Sequence, residues 1–220
     1  MILSSGRAYV FVHIPKTGGT AMALALEGRA MKDDIMLGDT PKARKRRRRL
    51  QDFKAAGRLW KHSTLADIDG LVPMLDGLFK FTLVRNPWDR MVSYYHWLRV
   101  QSFDHPVVRI AYNIPFEAFV QNPLVRLSAR AHPARHYMTD AAGFERCDAY
   151  IRIESFAEDA GPLWSHLGFS LELPRVNTSE RTVDYRPYYS DAARRAVEKD
   201  NAEDINRFGY SFDEGISRIT

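Results

Sequence analysis

The chain has little cysteine, no long apolar run and no Walker-type loop, and each shortage removes a class of answer. A single cysteine, Cys147, in 220 residues forbids an internal disulfide and cannot build a thiolate metal site. A reducing compartment, the cytoplasm, is the simplest expectation. No apolar stretch approaches the roughly 18–20 residues that cross a bilayer, and the N-terminus lacks the apolar run of a signal peptide, so neither a membrane span nor export is expected. The string G-x-x-x-x-G-K-[ST] does not occur, which argues against a nucleoside-triphosphate loop of that type. No His, Cys and carboxylate cluster stands at ligand spacing, and no metal is expected. Hydrophobic residues at 45% and aromatics at 12% exclude a disordered chain.

Charge is unevenly spread. The 32 Lys+Arg against 27 Asp+Glu give a formal +5, but seven of the basic residues lie between Lys42 and Arg49. Without them 25 basic residues face 27 acidic ones, a net of −2. The basic character is one local block, whose mutual repulsion suits a solvated helix or a loop. Such a run could bind an anionic polymer through counterion release. It lacks the interleaved aromatics of a single-strand stacking platform, and no nucleic-acid partner is expected.

The length suits a single domain over 1–220. Ala8 to Ile14 (AYVFVHI) reads as a buried strand, Lys16-Thr17-Gly18-Gly19 as a turn, and the residues from Thr20 as a helix with Thr20 at its cap or first turn. Leu59 to His62 suits a short strand, with Ser63 or Thr64 capping a helical turn through Ile68. Phe79 to Val84 (FKFTLV) is a clearer strand. It leads into Asn86 as N-cap, Pro87 at the first helical position, and an apolar stripe of Trp88, Met91, Val92, Tyr95 and Leu98. Prolines 106, 115, 123 and 133 punctuate a middle of short helices. Ala149 to Ile153 reads as a strand, 154–167 as a helix, 176–181 as a polar loop and 190–208 as a helix. This alternation predicts an α/β domain whose central parallel sheet is flanked by helices on both faces.

Two strand-to-helix turns carry the chemistry. A Gly-containing turn at a helix N-terminus directs N–H groups and the helix dipole at an anion. Lys16 adds charge, Thr17 and Thr20 add hydroxyls, and Gly18-Gly19 let the backbone close around a phosphate. By themselves the two glycines equally suit any tight βα connection. At the second turn Arg85 offers a planar fork to phosphate. Ser93 follows Asn86 by seven residues, about two helical turns, so both share a face. Read alone, Arg85 is a helix-start ion pair and Ser93 a solvated helix position.

The full string His13-Ile14-Pro15-Lys16-Thr17-Gly18-Gly19-Thr20 resembles the 5′-phosphosulfate loop of sulfotransferases that use 3′-phosphoadenosine 5′-phosphosulfate (PAPS), in the family-2 branch that includes carbohydrate O-sulfotransferases. Arg85-Asn86-Pro87-Trp88-Asp89-Arg90 with Ser93 resembles that family's 3′-phosphate segment. Asn177-Thr178-Ser179-Glu180-Arg181 and the tyrosines that follow resemble its C-terminal segment. The resemblance implies a P-loop-NTPase-like sulfotransferase fold, PAPS as donor, and contacts from Pro15, Lys16, Thr17, Gly18, Gly19, Thr20 and Ala21 to the phosphosulfate. Many members have Ser where this chain has Ala21, so one hydroxyl contact is missing. The resemblance further implies that Arg85 and Ser93 hold the 3′-phosphate and that Ser179 and Arg181 lie on the adenosine and 3′-phosphate side.

Sulfuryl transfer needs a base and positive charge on the departing phosphate. Lys16 supplies the charge. Of seven histidines, His62 is assigned as base, because Lys61-His62-Ser63-Thr64 lies between the two phosphate motifs, at an expected strand end, and resembles the family's catalytic-histidine segment. His13, inside a strand, is read as a core histidine. The expected acceptor is a hydroxyl on a carbohydrate, and the basic run suits the steering of an anionic one. Two other readings stay open: a nucleotide kinase or NTPase on a related scaffold, and an anionic-polymer binder acting through residues 42–49.

Overall fold

The apolar runs FKFTLV and YVFV lie side by side as parallel strands. A computed structural model of the chain describes residues 1–50, 53–71, 75–176 and 182–213. The strands are β1 (Ile2–Ser4), β2 (Tyr9–Val12), β3 (Ile35–Met36), β4 (Phe79–Val84) and β5 (Ala149–Arg152), in the order β3-β1-β2-β4-β5. β2, β4 and β5 are parallel, in a register that pairs Phe11 with Phe81 and Leu83 with Ile151. β1 is antiparallel to both β2 and β3. The sheet is therefore mixed, which corrects the expectation of a wholly parallel one. The cause is the tight turn after Ser4: Ala8 takes a left-handed φ of 52° and its N–H reaches Ser5 O at 3.2 Å, so the chain doubles back at once. A turn this short can join only antiparallel strands.

Packing divides the described residues into two units, Met1–Val84 with Ala134–Asn177, and Arg85–Pro133 with Thr178–Thr220. The first contains the whole sheet. Tyr9, Phe11, Phe81, Leu83 and Ile151 point to one face. There they pack on Met22, Ala23 and Leu26 of α1 (Gly19–Gly28), on Ala43 of α2 (Pro41–Arg46), and on Ala160 and Leu163. Val10, Val12, Thr82 and Val84 alternate to the other face and are also buried, the pattern of strands covered on both sides.

The basic block is an anchored helix. α2 begins with Pro41 at its first position and continues as a 3-10 turn over Arg47–Leu50. Lys42 Nζ donates to Glu27 O (2.7 Å), Arg46 to Asp34 O (3.1 Å) and Arg49 to Lys32 O (2.7 Å). Three of the seven cations thus hold carbonyls at the end of α1 and in the segment that follows it.

The second unit is helical among its described residues. α3 (Pro87–Leu98) is joined by Pro106–Asn113, Phe116–Gln121, Pro123–Ala131, Asp191–Asp200 and Ala202–Phe208. Three of these start on a cap followed by proline. Asn86, His105 and Asn122 each accept from the backbone N–H two residues on, and proline fills the next position, where no donor is needed. Trp88, Val92, Tyr95 and Leu98 of α3 pack with Phe116, Phe119 and Tyr185 in its core.

Several expected elements differ. Leu59–His62 is a bend and turn rather than a strand, and the residues through Ile68 form turns rather than a helix. The expected helix over 154–167 is broken into a 3-10 turn and two short helices, with Ala160 at the break and Pro162 just beyond it. The one over 190–208 breaks at Asn201. Helix α1, by contrast, starts at Gly19 with Gly18 as its cap, so Thr20 lies in its first turn as expected.

Candidate functional site

The β2–α1 connection is built by its own backbone. Thr17 is buried, and its hydroxyl donates to Ile14 O at 2.9 Å, closing the turn from within. That proton is directed inward, so what Thr17 can offer an anion is its backbone. Lys16 and Gly18 both take left-handed φ, 67° and 87°. For glycine this is free, but for lysine it costs on the order of 1–2 kcal/mol.

Both glycines are also fixed by packing. A Cβ on Gly18 would enter the Ile153 side chain, and one on Gly19 would enter the His13 ring. The loop therefore lies against the residues just past β2 and just past β5. Helix α1 leaves it with no side-chain cap and no acidic residue in its first turn. Uncapped first-turn N–H groups, the helix dipole and Lys16 together fit a phosphate or sulfate group.

His62 stands beside this loop. Its Nδ1 is 2.7 Å from His13 O, and a carbonyl can only accept, so in the neutral ring Nδ1 carries the hydrogen and Nε2 is the basic nitrogen. The His62 ring meets the His13 ring edge-on at 4.6 Å and the Trp60 ring at 5.0 Å. No strand positions it. Buried Ser63 accepts from Trp60 N–H (2.9 Å) and lies 2.8 Å from Arg58 O. Thr64 and Asp67 bond each other's backbone N–H groups, and Leu65 and Ala66 donate to Tyr137 O and Thr139 O.

His13 is buried, as expected of a core histidine, although it lies just past the end of β2. Burial holds its pKa well below the usual value, reinforced by His62, Lys61 and Lys16, so it is neutral at pH 7. Its part in placing both Gly19 and His62 was invisible in sequence, because no spacing rule links residues 13, 19 and 62.

In the second unit Asn86 caps α3 with Trp88 N–H at 3.1 Å, and it donates to Tyr185 Oη (3.2 Å) and Ser211 O (3.0 Å). Arg85 Nε and Nη2 both donate to Asp89 Oδ2, at 2.8 and 2.6 Å. The Asp89 side chain is 3% exposed and that of Arg85 15%. The ion-pair reading of Arg85 therefore holds in this structure, and a phosphate contact from it means sharing or exchanging Asp89. The i, i+4 spacing of Arg85 and Asp89 was the readable signal for this pair. Ser93 is buried rather than solvated. Ser179 and Arg181 lie outside the described residues.

Among the described residues no group of three His, Cys, Asp or Glu is placed to hold a metal, and no helix is long and apolar enough to cross a membrane. Residues 2–130 match the model described as Sulfotransferase family. That span holds the Pro15–Ala21 loop, His62, Arg85 and Ser93 and ends before Ser179. No curated protein and no solved structure matches the chain.

Proposed function

The chain belongs to the sulfotransferase family, whose model spans more than half of it, and from that premise we propose that it moves a sulfuryl group from PAPS to a hydroxyl of a carbohydrate acceptor. The observation that carries this reading is the pairing, within one unit, of an uncapped helix start beside Lys16 with a histidine whose Nδ1–H is tied to a carbonyl.

In this scheme Lys16 and the N–H groups of Gly19, Thr20 and Ala21 receive the phosphosulfate, in a loop of P-loop-like type. Arg85 and Ser93 are the proposed 3′-phosphate contacts, with Ser179 and Arg181 on the adenosine side. PAPS supplies an activated sulfuryl group. His62 Nε2 takes the acceptor's hydroxyl proton as that oxygen bonds to sulfur. The bond from sulfur to the bridging phosphate oxygen breaks, and its electron pair leaves with the 5′-phosphate of adenosine 3′,5′-bisphosphate. Lys16 neutralises the charge that develops there. A base placed in this way contributes about 10²–10⁴-fold.

Transfer from radiolabelled PAPS tests the scheme. His62→Ala should bind adenosine 3′,5′-bisphosphate normally and lose transfer by about that factor, whereas Lys16→Ala should lose binding or transfer. Normal turnover by His62→Ala removes the base assignment. Calorimetric preference for ATP-Mg over the bisphosphate removes the donor and favours a kinase.

A further inference from the structure

The sheet-bearing unit contains a cavity of ≈ 510 Å³ that the scheme above leaves unused. Its lining is mostly apolar and includes Leu37, Leu50, Leu59 and Trp60. Three charged residues, Asp39, Arg47 and Lys61, complete the wall. Trp60 belongs both to this wall and to the surroundings of the proposed base, since its ring packs edge-on against His62 at 5.0 Å. Lys61 is the residue between them. Whatever fills the cavity therefore touches Trp60, whose ring packs against the group that would take the acceptor's proton.

The lining selects the occupant. Sugar hydroxyls are well hydrated and gain little from apolar walls, whereas an apolar substituent gains in proportion to the area it buries. Trp60 remains 42% exposed, a large aromatic surface available for stacking. The volume lies in the range of roughly 300–1,000 Å³ that suits one drug-sized molecule rather than a polymer. The charges are also partly spent. Asp39 pairs with Lys61 at 2.9 Å and lies 3.8 Å from Arg47, and the Lys61 hydrogen bond is the main cause of its lowered pKa. One positive charge is left over, which matches a single anionic group.

We propose that this cavity seats the acceptor, and that the acceptor is an acidic glycoside with an apolar aglycone. The aglycone would lie on Leu50, Leu59 and Trp60, the acid group would meet Arg47 and Lys61, and a sugar hydroxyl would face His62. The inference rests on the sulfuryl-transfer reading for its chemistry but not for its binding.

The test compares methyl and octyl β-glucuronide, both below micellar concentration, as acceptors from PAPS. The octyl compound should show at least about tenfold higher kcat/KM, the scale of discrimination that apolar pockets provide. Octyl glucoside, which lacks the acid, should fall several-fold below octyl glucuronide. Leu50→Gln and Leu59→Gln should bring the octyl-to-methyl ratio towards one, with bisphosphate binding as the check on folding. Independently of transfer, octyl glucuronide should change tryptophan fluorescence in the unaltered chain and not in Trp60→Phe. A saturable Trp60 response without transfer supports the cavity and counts against the donor reading. Equal kcat/KM for the methyl and octyl compounds, or no Trp60 response, overturns the cavity assignment.

Discussion

The turns after β2 and after β4 have the same grammar, strand then turn then helix, and opposite chemistry. After β2, helix α1 starts on a glycine with no side-chain cap and no acid in its first turn. After β4, Asn86 caps α3, Pro87 fills the next position, and Asp89 brings a carboxylate that already pairs with Arg85. The first helix start leaves its N–H groups for an outside anion, while the second satisfies them with its own side chains. An anion at the second turn must come to a guanidinium, not to a helix end. The same local geometry is thus left open or closed by a handful of side chains.

The largest effect expected from breaking this contrast is at Arg85. Arg85→Ala strands the buried Asp89 carboxylate and should cost about 3 kcal/mol, the low end for a broken buried pair. Arg85→Met with Asp89→Leu should regain most of that stability in urea titrations without regaining affinity for adenosine 3′,5′-bisphosphate. Recovery of affinity in the double variant would exclude Arg85 as a phosphate contact.

At the open turn the balance should reverse, with binding suffering more than folding. Gly19→Ala drives a methyl into the His13 ring, at a cost of about 1–3 kcal/mol for overpacking. Bisphosphate affinity should fall by more than the change in stability explains, and calorimetry showing unaltered affinity would mean that the loop is not the anion seat.

The open turn also depends on a neutral His13 where the closed one contains no histidine. Because burial holds the folded pKa well below 6.5, the unfolded chain binds a proton first as the pH falls. The stability tied to neutral His13 is complete above about 6.5 and is lost below it, by up to about 1.4 kcal/mol per pH unit. Urea midpoints between pH 8 and 5 should follow this slope and flatten in His13→Gln; an equal slope in that variant points to another group.

The smallest effect belongs to the cap itself. Asn86→Ala should cost about 1 kcal/mol, with a further loss from its bonds to Tyr185 and Ser211. Stability within a few tenths of the unaltered chain would show that the second turn is not closed by this residue.

What the sequence disclosed was local. FKFTLV is β4 to the residue, and Asn86-Pro87 starts α3 as capping chemistry requires. β1 and β3 are not legible in the sequence, because three and two residues carry no periodicity and owe their strand form to partners elsewhere in the chain. The segment around His62 is positioned by Ser63, Thr64 and Asp67 and by carbonyls of residues 137 and 139, which no pattern of strand residues encodes. Asp89 was readable by its spacing from Arg85, whereas the link between Trp60 and the cavity depends on folding. The basic block illustrates the same limit: its repulsion was legible, but not the carbonyls at Glu27, Lys32 and Asp34 that receive three of its cations.

His13 touches two things at once, Gly19 with its ring and His62 with its carbonyl. Substitutions at these three positions should therefore be strongly epistatic, since each alters the context in which the others act. Enlarging Gly19 moves the His13 ring, which is joined to the carbonyl that orients His62. A mutational scan would score His13 as though it took part in the reaction, and a designer seeking to retune the base or the loop would find that neither can be changed alone.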